Sequence, residues 1–185
     1  MKTVVFIQKI GEVDTSILIR LKKNLSWLFK KFALKVEIIP NAYSIQGDEY
    51  LEAERHYDGE LILNRLENNF KSTIKNKLLG IIDADIKGIR KIHLFGLSNL
   101  RSSCALISID RLRGSFCNGY EDQALFELRI LKEATHELGH TFGLDHCTNE
   151  CVMKYSNNLE DVDKKPKDFC QVCFQALKKS IKTRN

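Results

Sequence analysis

The chain has 185 residues, of which 43% are hydrophobic and 29% charged. That is the composition of a globular domain and excludes a disordered or fibrous protein. The net charge of +5, from 29 Lys and Arg against 24 Asp and Glu, is mild. The basic residues fall in small clusters such as Lys22-Lys23, Lys164-Lys165 and Lys178-Lys179, so the charge calls for no nucleic-acid partner. No apolar run approaches the ~20 residues of a membrane span, which argues against a membrane partner. The opening run Val4-Val5-Phe6-Ile7 is too short for a secretory signal. These features lead us to expect a cytoplasmic protein of one domain, residues 1–185.

Residues 3–9 form an apolar run of strand type. Residues 14–32 carry Ile17, Leu18, Leu21, Leu25, Leu28 and Phe32 at helical spacing, with Asp14 or Thr15 placed to cap the helix. Residues 33–39 read as a second strand, stopped by Pro40 and Asn41. A polar stretch follows, and residues 58–75 are helical in pattern through Leu61, Ile62, Leu66 and Phe70. Strand candidates come at 77–83, 91–95 and 104–109. This alternation predicts an α/β fold. Residues 122–142 form a long helix with Leu125, Leu128, Leu131 and Leu138 on its apolar side. An irregular, cysteine-bearing stretch and a last helix over 166–182 complete the chain. The strand–helix part thus covers 1–121 and the remainder 122–185.

The chemistry concentrates in His136-Glu137-Leu138-Gly139-His140-Thr141-Phe142-Gly143-Leu144-Asp145-His146. His136 and His140 are four apart, so a helix stacks them one turn apart on one face, where two imidazoles can grip one cation. Glu137 is next to the first of them and can lean over the metal's open position. Gly143 suits a left-handed helix end, and the turn it permits can swing His146 back as a third ligand. Three neutral imidazoles and a water make the open tetrahedral site of a catalytic zinc.

Cys147 and Cys151, and Cys170 and Cys173, form two knuckle-like pairs within the spacing of structural zinc sites. Four thiolates close a tetrahedron, so this second metal would brace the fold by tying the C-terminal helix to the loop after His146. A pair of disulfides is the rival and needs an oxidising compartment. A treble-clef-like nucleic-acid module is a further rival, but it leaves the three histidines unexplained.

A run of HExxHxxGxxH followed by a methionine, here Met153, is the metzincin signature. With Cys147, Cys151, Cys170 and Cys173 around the third histidine and the Met, residues 133–173 resemble the archaemetzincin family of zinc metallopeptidases. The gaps Cys147–Cys151 and Met153–Cys170 are each one residue shorter than in the family pattern. The resemblance implies a single zincin-like domain with a mixed twisted sheet, an active-site helix, a Met-turn and a C-terminal helix. It implies His136, His140 and His146 as ligands of a catalytic zinc, Glu137 as general base, Met153 as the Met-turn residue and the four cysteines as ligands of a structural zinc, two zinc ions per chain. By the same analogy, the 104–109 strand is a candidate sheet edge for an extended peptide substrate.

The remaining candidates have simpler readings. Met153 can serve as core filler. Tyr155 follows it by two, the offset at which some metzincins bring a tyrosine to the metal, although a half-buried aromatic is the commoner fate. Cys104 and Cys117 read as buried small hydrophobes, His56 and His93 as structural, Asp83 and Asp85 as turn or cap residues, and Glu133 as a solvated helix residue. The leading function is zinc-dependent hydrolysis of peptide bonds by a monomer. The alternative is a zinc-bearing scaffold or binding protein with an idle site.

Overall fold

The computed structural model describes residues 3–52, 56–70, 75–88, 94–114 and 122–183. Its strands are β1 Val4–Ile10, β2 Lys35–Ile38, β3 Tyr50–Leu51, β4 His56–Asp58, β5 Lys77–Ile82, β6 Ile86–Lys87, β7 Gly96–Ser98 and β8 Cys104–Ser108. Its helices are α1 Thr15–Phe29, α2 Gly59–Asn69, α3 Gln123–Thr141, α4 Leu159–Lys164 and α5 Gln171–Thr183. The main sheet runs β2-β1-β5-β8-β7, and β3-β4-β6 form a smaller one. The first four strands of the main sheet are parallel, while β7 runs antiparallel to β8. The expected mixed α/β sheet is therefore present.

Side chains alternate across this sheet, as strand geometry requires. Val5, Ile7, Leu79, Ile81, Ala105 and Ile107 join one core with α1, α3 and α5. Ile10, Leu78, Ile82, Cys104 and Leu106 join the other with Ile62, Leu63 and Leu66 of α2. Every residue of β5 and β8 is buried, so helices cover the central strands on both faces.

The helix ends follow local chemistry. The Asp14 carboxylate accepts the Ser16 N–H and caps α1, and the Asp122 carboxylate accepts the Ala124 and Leu125 N–H groups at the start of α3. On α3, Phe126, Ile130, Ala134 and Leu138 are buried, whereas Leu125 and Leu128, expected on the apolar side, are half-buried. Packing of α3 into the core that it shares with the sheet turns Phe126 and Ile130 inward in their place.

Several expected elements differ. The strand 104–109, a candidate edge, is the inner strand β8. The edge is β7, and of the expected 91–95 strand, residues 91–93 lie outside the described residues. Helix α2 ends at Asn69 rather than near 75, with residues 71–74 outside the described set. The last helix starts at Gln171, not 166, and the stretch expected to be irregular holds α4, capped by Asn158. Strands of two or three residues such as β3, β4 and β6 have no room for an alternating pattern.

Other residues meant for the surface or for turns are paired. Asp83 binds Arg113 at 2.5 Å, and Asp85 binds Arg111 through both carboxylate oxygens, so these acids make ion pairs where turn or cap roles were expected. Glu133, expected to be solvated, is buried and pairs with the buried Lys165 at 2.6 Å. Nearby, Arg129 grips both oxygens of Asp163 at 2.6 Å, and the Lys132 ammonium donates to the Val162 and Asp163 carbonyls. These contacts dock α4 on α3.

Removing one member of the Glu133–Lys165 pair strands the other charge in the interior. Glu133→Ala and Lys165→Ala should each lose about 3–5 kcal/mol of stability, with the paired replacement Glu133→Leu, Lys165→Met costing less than the two single losses added. Guanidinium denaturation of the three variants checks this.

Candidate metal centre

His136, Glu137 and His140 occupy the last two turns of α3, where Leu131 to Gly139 are buried on every side. The His136 and His140 rings stand nearly perpendicular, 4.7 Å between centroids, with their Nε2 atoms 3.1 Å apart. The helix stops at Gly143, whose φ of +93° is the left-handed geometry that suits glycine. There the Gly143 N–H donates to the His140 carbonyl and the Leu144 N–H to the Gly139 carbonyl. The reversed chain brings the exposed His146 to 4.8 Å from the His140 ring and 5.3 Å from that of His136. Each of the three histidines offers one ring nitrogen within 4.8 Å of the others.

Backbone carbonyls set the tautomers. Nδ1 of His136 lies 2.9 Å from the Val152 carbonyl, and Nδ1 of His140 lies 2.7 Å from that of Leu144. A carbonyl only accepts, so each Nδ1 carries the hydrogen and each Nε2 keeps its lone pair. Burial, then the nearby Lys165 ammonium, pushes the His136 pKa down to about 2, and burial lowers that of His140 as well. Both rings are neutral near pH 7. Two lone pairs facing each other at 3.1 Å repel unless a cation draws them together. A tetrahedral zinc with Zn–N of ~2.0–2.1 Å sets its nitrogens ~3.4 Å apart, close to what is found.

The loop beneath is fitted to the helix. Met153 is fully buried, and a Cβ at Gly139 would sit 2.4 Å from its sulfur. The bare glycine backbone between the two histidines is what lets the thioether reach the helix. The Cys147 N–H donates to the Met153 carbonyl at 3.0 Å and closes this loop.

The four cysteines also come together, each Sγ within 4.8 Å of the others, and all four are free thiols. Cys147 and Cys170 have their sulfurs 3.8 Å apart, far beyond a disulfide bond. A zinc tetrahedron with Zn–S of ~2.3 Å has an edge of ~3.8 Å. The Cys170 N–H donates to the Cys151 sulfur at 3.2 Å. The Cys173 N–H beside Cys170 draws that thiol down to about 6, while burial pushes Cys151 and Cys173 up. Both donor sets fit zinc, the histidine set with an open position and the cysteine set closed.

A cleft of about 960 Å³ opens over the histidines. Residues of β7, together with Tyr155, Ser156, Asn157 and Lys165, line it with Glu133, His136, Glu137, His140 and His146. Glu137 accepts a hydrogen bond from the Ser98 hydroxyl at 2.6 Å. The Tyr155 ring lies 5.0 Å from that of His146. Buried His56 and Cys104 belong to neither cluster, and burial raises the Cys104 thiol to about 12. His93 and Cys117 lie outside the described residues. Sequence reasoning missed Ser98, Gly139 and Lys165. Only Gly139 left a trace, as a glycine inside a helical pattern.

Native mass spectrometry should find two zinc ions per chain, and a chelator should remove the histidine-held one first. Cys173→Ser should lose the closed site and lower the melting temperature. It should also weaken zinc retention by the histidines, because Cys147 adjoins His146 in sequence.

The profile of peptidase family M54 matches residues 12–179. The archaemetzincin of Pyrococcus abyssi is 33% identical over 190 residues, covering 98% of this chain and 97% of the relative. The crystal structure of the Archaeoglobus fulgidus archaemetzincin, complexed with malonate, superposes with a TM-score of 0.79 at 31% identity, covering 94% of this chain and 99% of that one. A zinc-dependent peptidase from Methanocorpusculum labreanum gives a TM-score of 0.76 at 25% identity, covering 95% and 99%. Sequence, fold and donor sets together place the chain in peptidase family M54, the archaemetzincins, as a zinc metallopeptidase.

Proposed function

We propose that this protein cleaves peptide bonds at the three-histidine site, with His136, His140 and His146 holding a catalytic zinc, Glu137 as general base, and Cys147, Cys151, Cys170 and Cys173 holding a structural zinc. The observation that carries the reading is the convergence of three imidazoles, two with their tautomers set by backbone carbonyls, beside a carboxylate in one cleft. A zinc ion held by His136, His140 and His146 would lower the pKa of a bound water toward ~7 and polarise a carbonyl.

Glu137 adjoins His136 in sequence and lines the same cleft, so its carboxylate is placed to take the proton of the attacking water and deliver it to the leaving amine. No covalent intermediate on the protein is required. Among the described residues β7 pairs with β8 alone, which leaves its outer edge for an extended peptide to add as a further strand. Gly143 serves as the turn that delivers His146, and Met153 as the floor of the site. We take the protein to be a monomeric, cytoplasmic enzyme of one domain acting on peptides, independent of nucleic acid and membrane.

Glu137→Gln tests the base. It should keep both zinc ions and lose about 10²–10⁴-fold in hydrolysis of peptides that the parent cuts in a chelator-sensitive manner. Cleavage at the parental rate refutes the assignment. A parent that retains peptides only when metal-loaded, yet cuts none of a broad library, is a scaffold with an idle site.

A further inference from the structure

Gly96 and Ser98 are two residues apart on β7, so both face the same side of the strand, and that side meets Glu137. The Ser98 hydroxyl donates to Oε2 of Glu137 at 2.6 Å. At Gly96, a Cβ would lie 2.6 Å from Cγ of Glu137, 2.8 Å from Oε1 and 2.9 Å from Cδ. The carboxylate therefore lies against bare strand backbone at one residue and is hydrogen-bonded at the next residue of that face.

Resting on the reading of Glu137 as base, we propose that Ser98 is a positioning residue that aims the Glu137 carboxylate, and that Gly96 is glycine to leave the space the carboxylate fills. The terminal torsion of a glutamate is broad, so the helix backbone alone leaves the carboxylate plane undefined. The Ser98 bond defines it from a second element. That element is rigid, because β7 is held in register by β8 through Gly96↔Ile107, Leu97↔Leu106 and Ser98↔Ala105. The strand offered to an incoming peptide thus also aims the base, and substrate alignment and proton transfer share one frame of reference.

The test compares zinc-loaded full-length Ser98→Ala, Ser98→Thr, Gly96→Ala and Glu137→Gln with the parent. Two readouts are used: hydrolysis of a library peptide the parent cuts, and calorimetric binding of acetohydroxamic acid, a zinc chelator whose acidic proton is taken up by a well-aimed carboxylate. Ser98→Ala should lose about tenfold in kcat with KM within about twofold, and about tenfold in hydroxamate affinity. Its zinc content and melting temperature should match the parent. Ser98→Thr, which keeps the hydroxyl, should restore both losses, and Gly96→Ala should reproduce them with Ser98 intact.

The proposal is overturned if Ser98→Ala keeps parental hydroxamate affinity and kcat while Glu137→Gln loses both. It is also overturned if the loss appears in KM alone, or if threonine fails to restore it. A Glu137→Gln protein that keeps both properties instead refutes the base assignment. If no library peptide is cut, hydroxamate affinity decides, so the inference is judged apart from turnover.

Discussion

Two backbone carbonyls do most to define this protein. By accepting from Nδ1 of His136 and His140, Val152 and Leu144 turn two lone pairs toward each other at 3.1 Å. Neutral nitrogens in that arrangement repel, and a divalent cation held there would convert the repulsion into coordination. The rest of the structure serves this geometry. The Gly143 turn supplies the Leu144 carbonyl and then His146. The loop through Met153 supplies the Val152 carbonyl, and Gly139 lets that loop approach the helix closely enough to do so.

Helix α3 carries these groups while buried on nearly every side, an unusual setting for so many polar residues. Its apolar stripe, Phe126, Ile130, Ala134 and Leu138, joins the sheet. Its polar stripe, Arg129, Lys132, Glu133, His136, Glu137 and His140, recurs every three or four residues and faces the α4 segment and the cleft. Burial of that stripe is tolerable because its members meet partners: Asp163 for Arg129, carbonyls for Lys132, Lys165 for Glu133, Ser98 for Glu137. One helix thereby joins the structural core to the reactive site without an intervening loop.

The two metal-capable clusters meet at the dipeptide His146-Cys147, one residue from each. The loop between α3 and α4 contains little regular structure, and its order comes from Met153, Val152 and the cysteine sulfurs. A metal held by the four cysteines would there replace the apolar burial that a longer element would supply. Because the cysteine cluster also draws in the first turn of α5, the C-terminal helix is coupled to the placement of the third histidine.

Much of this was legible in the amino-acid order, and the division is physical. Periodic signals are local. The spacing of His136 and His140, the glycine at 143, the paired cysteines and the apolar runs of β1, β5 and β8 act within a few residues, so helix, turn, the two side-chain clusters and α/β class could be read from the chain. The partners of those groups are remote in sequence. Ser98 meets Glu137 across 39 residues, and Glu133 meets Lys165 from another element. Edge strand β7 has three half-buried residues and no pattern of its own. Such contacts have no period to betray them, since they form only when packing brings distant segments within hydrogen-bonding distance. The sequence by itself determined which atoms can hold a metal. Tertiary structure decided how they are aimed, because orientation is set by neighbours that chain order does not place side by side.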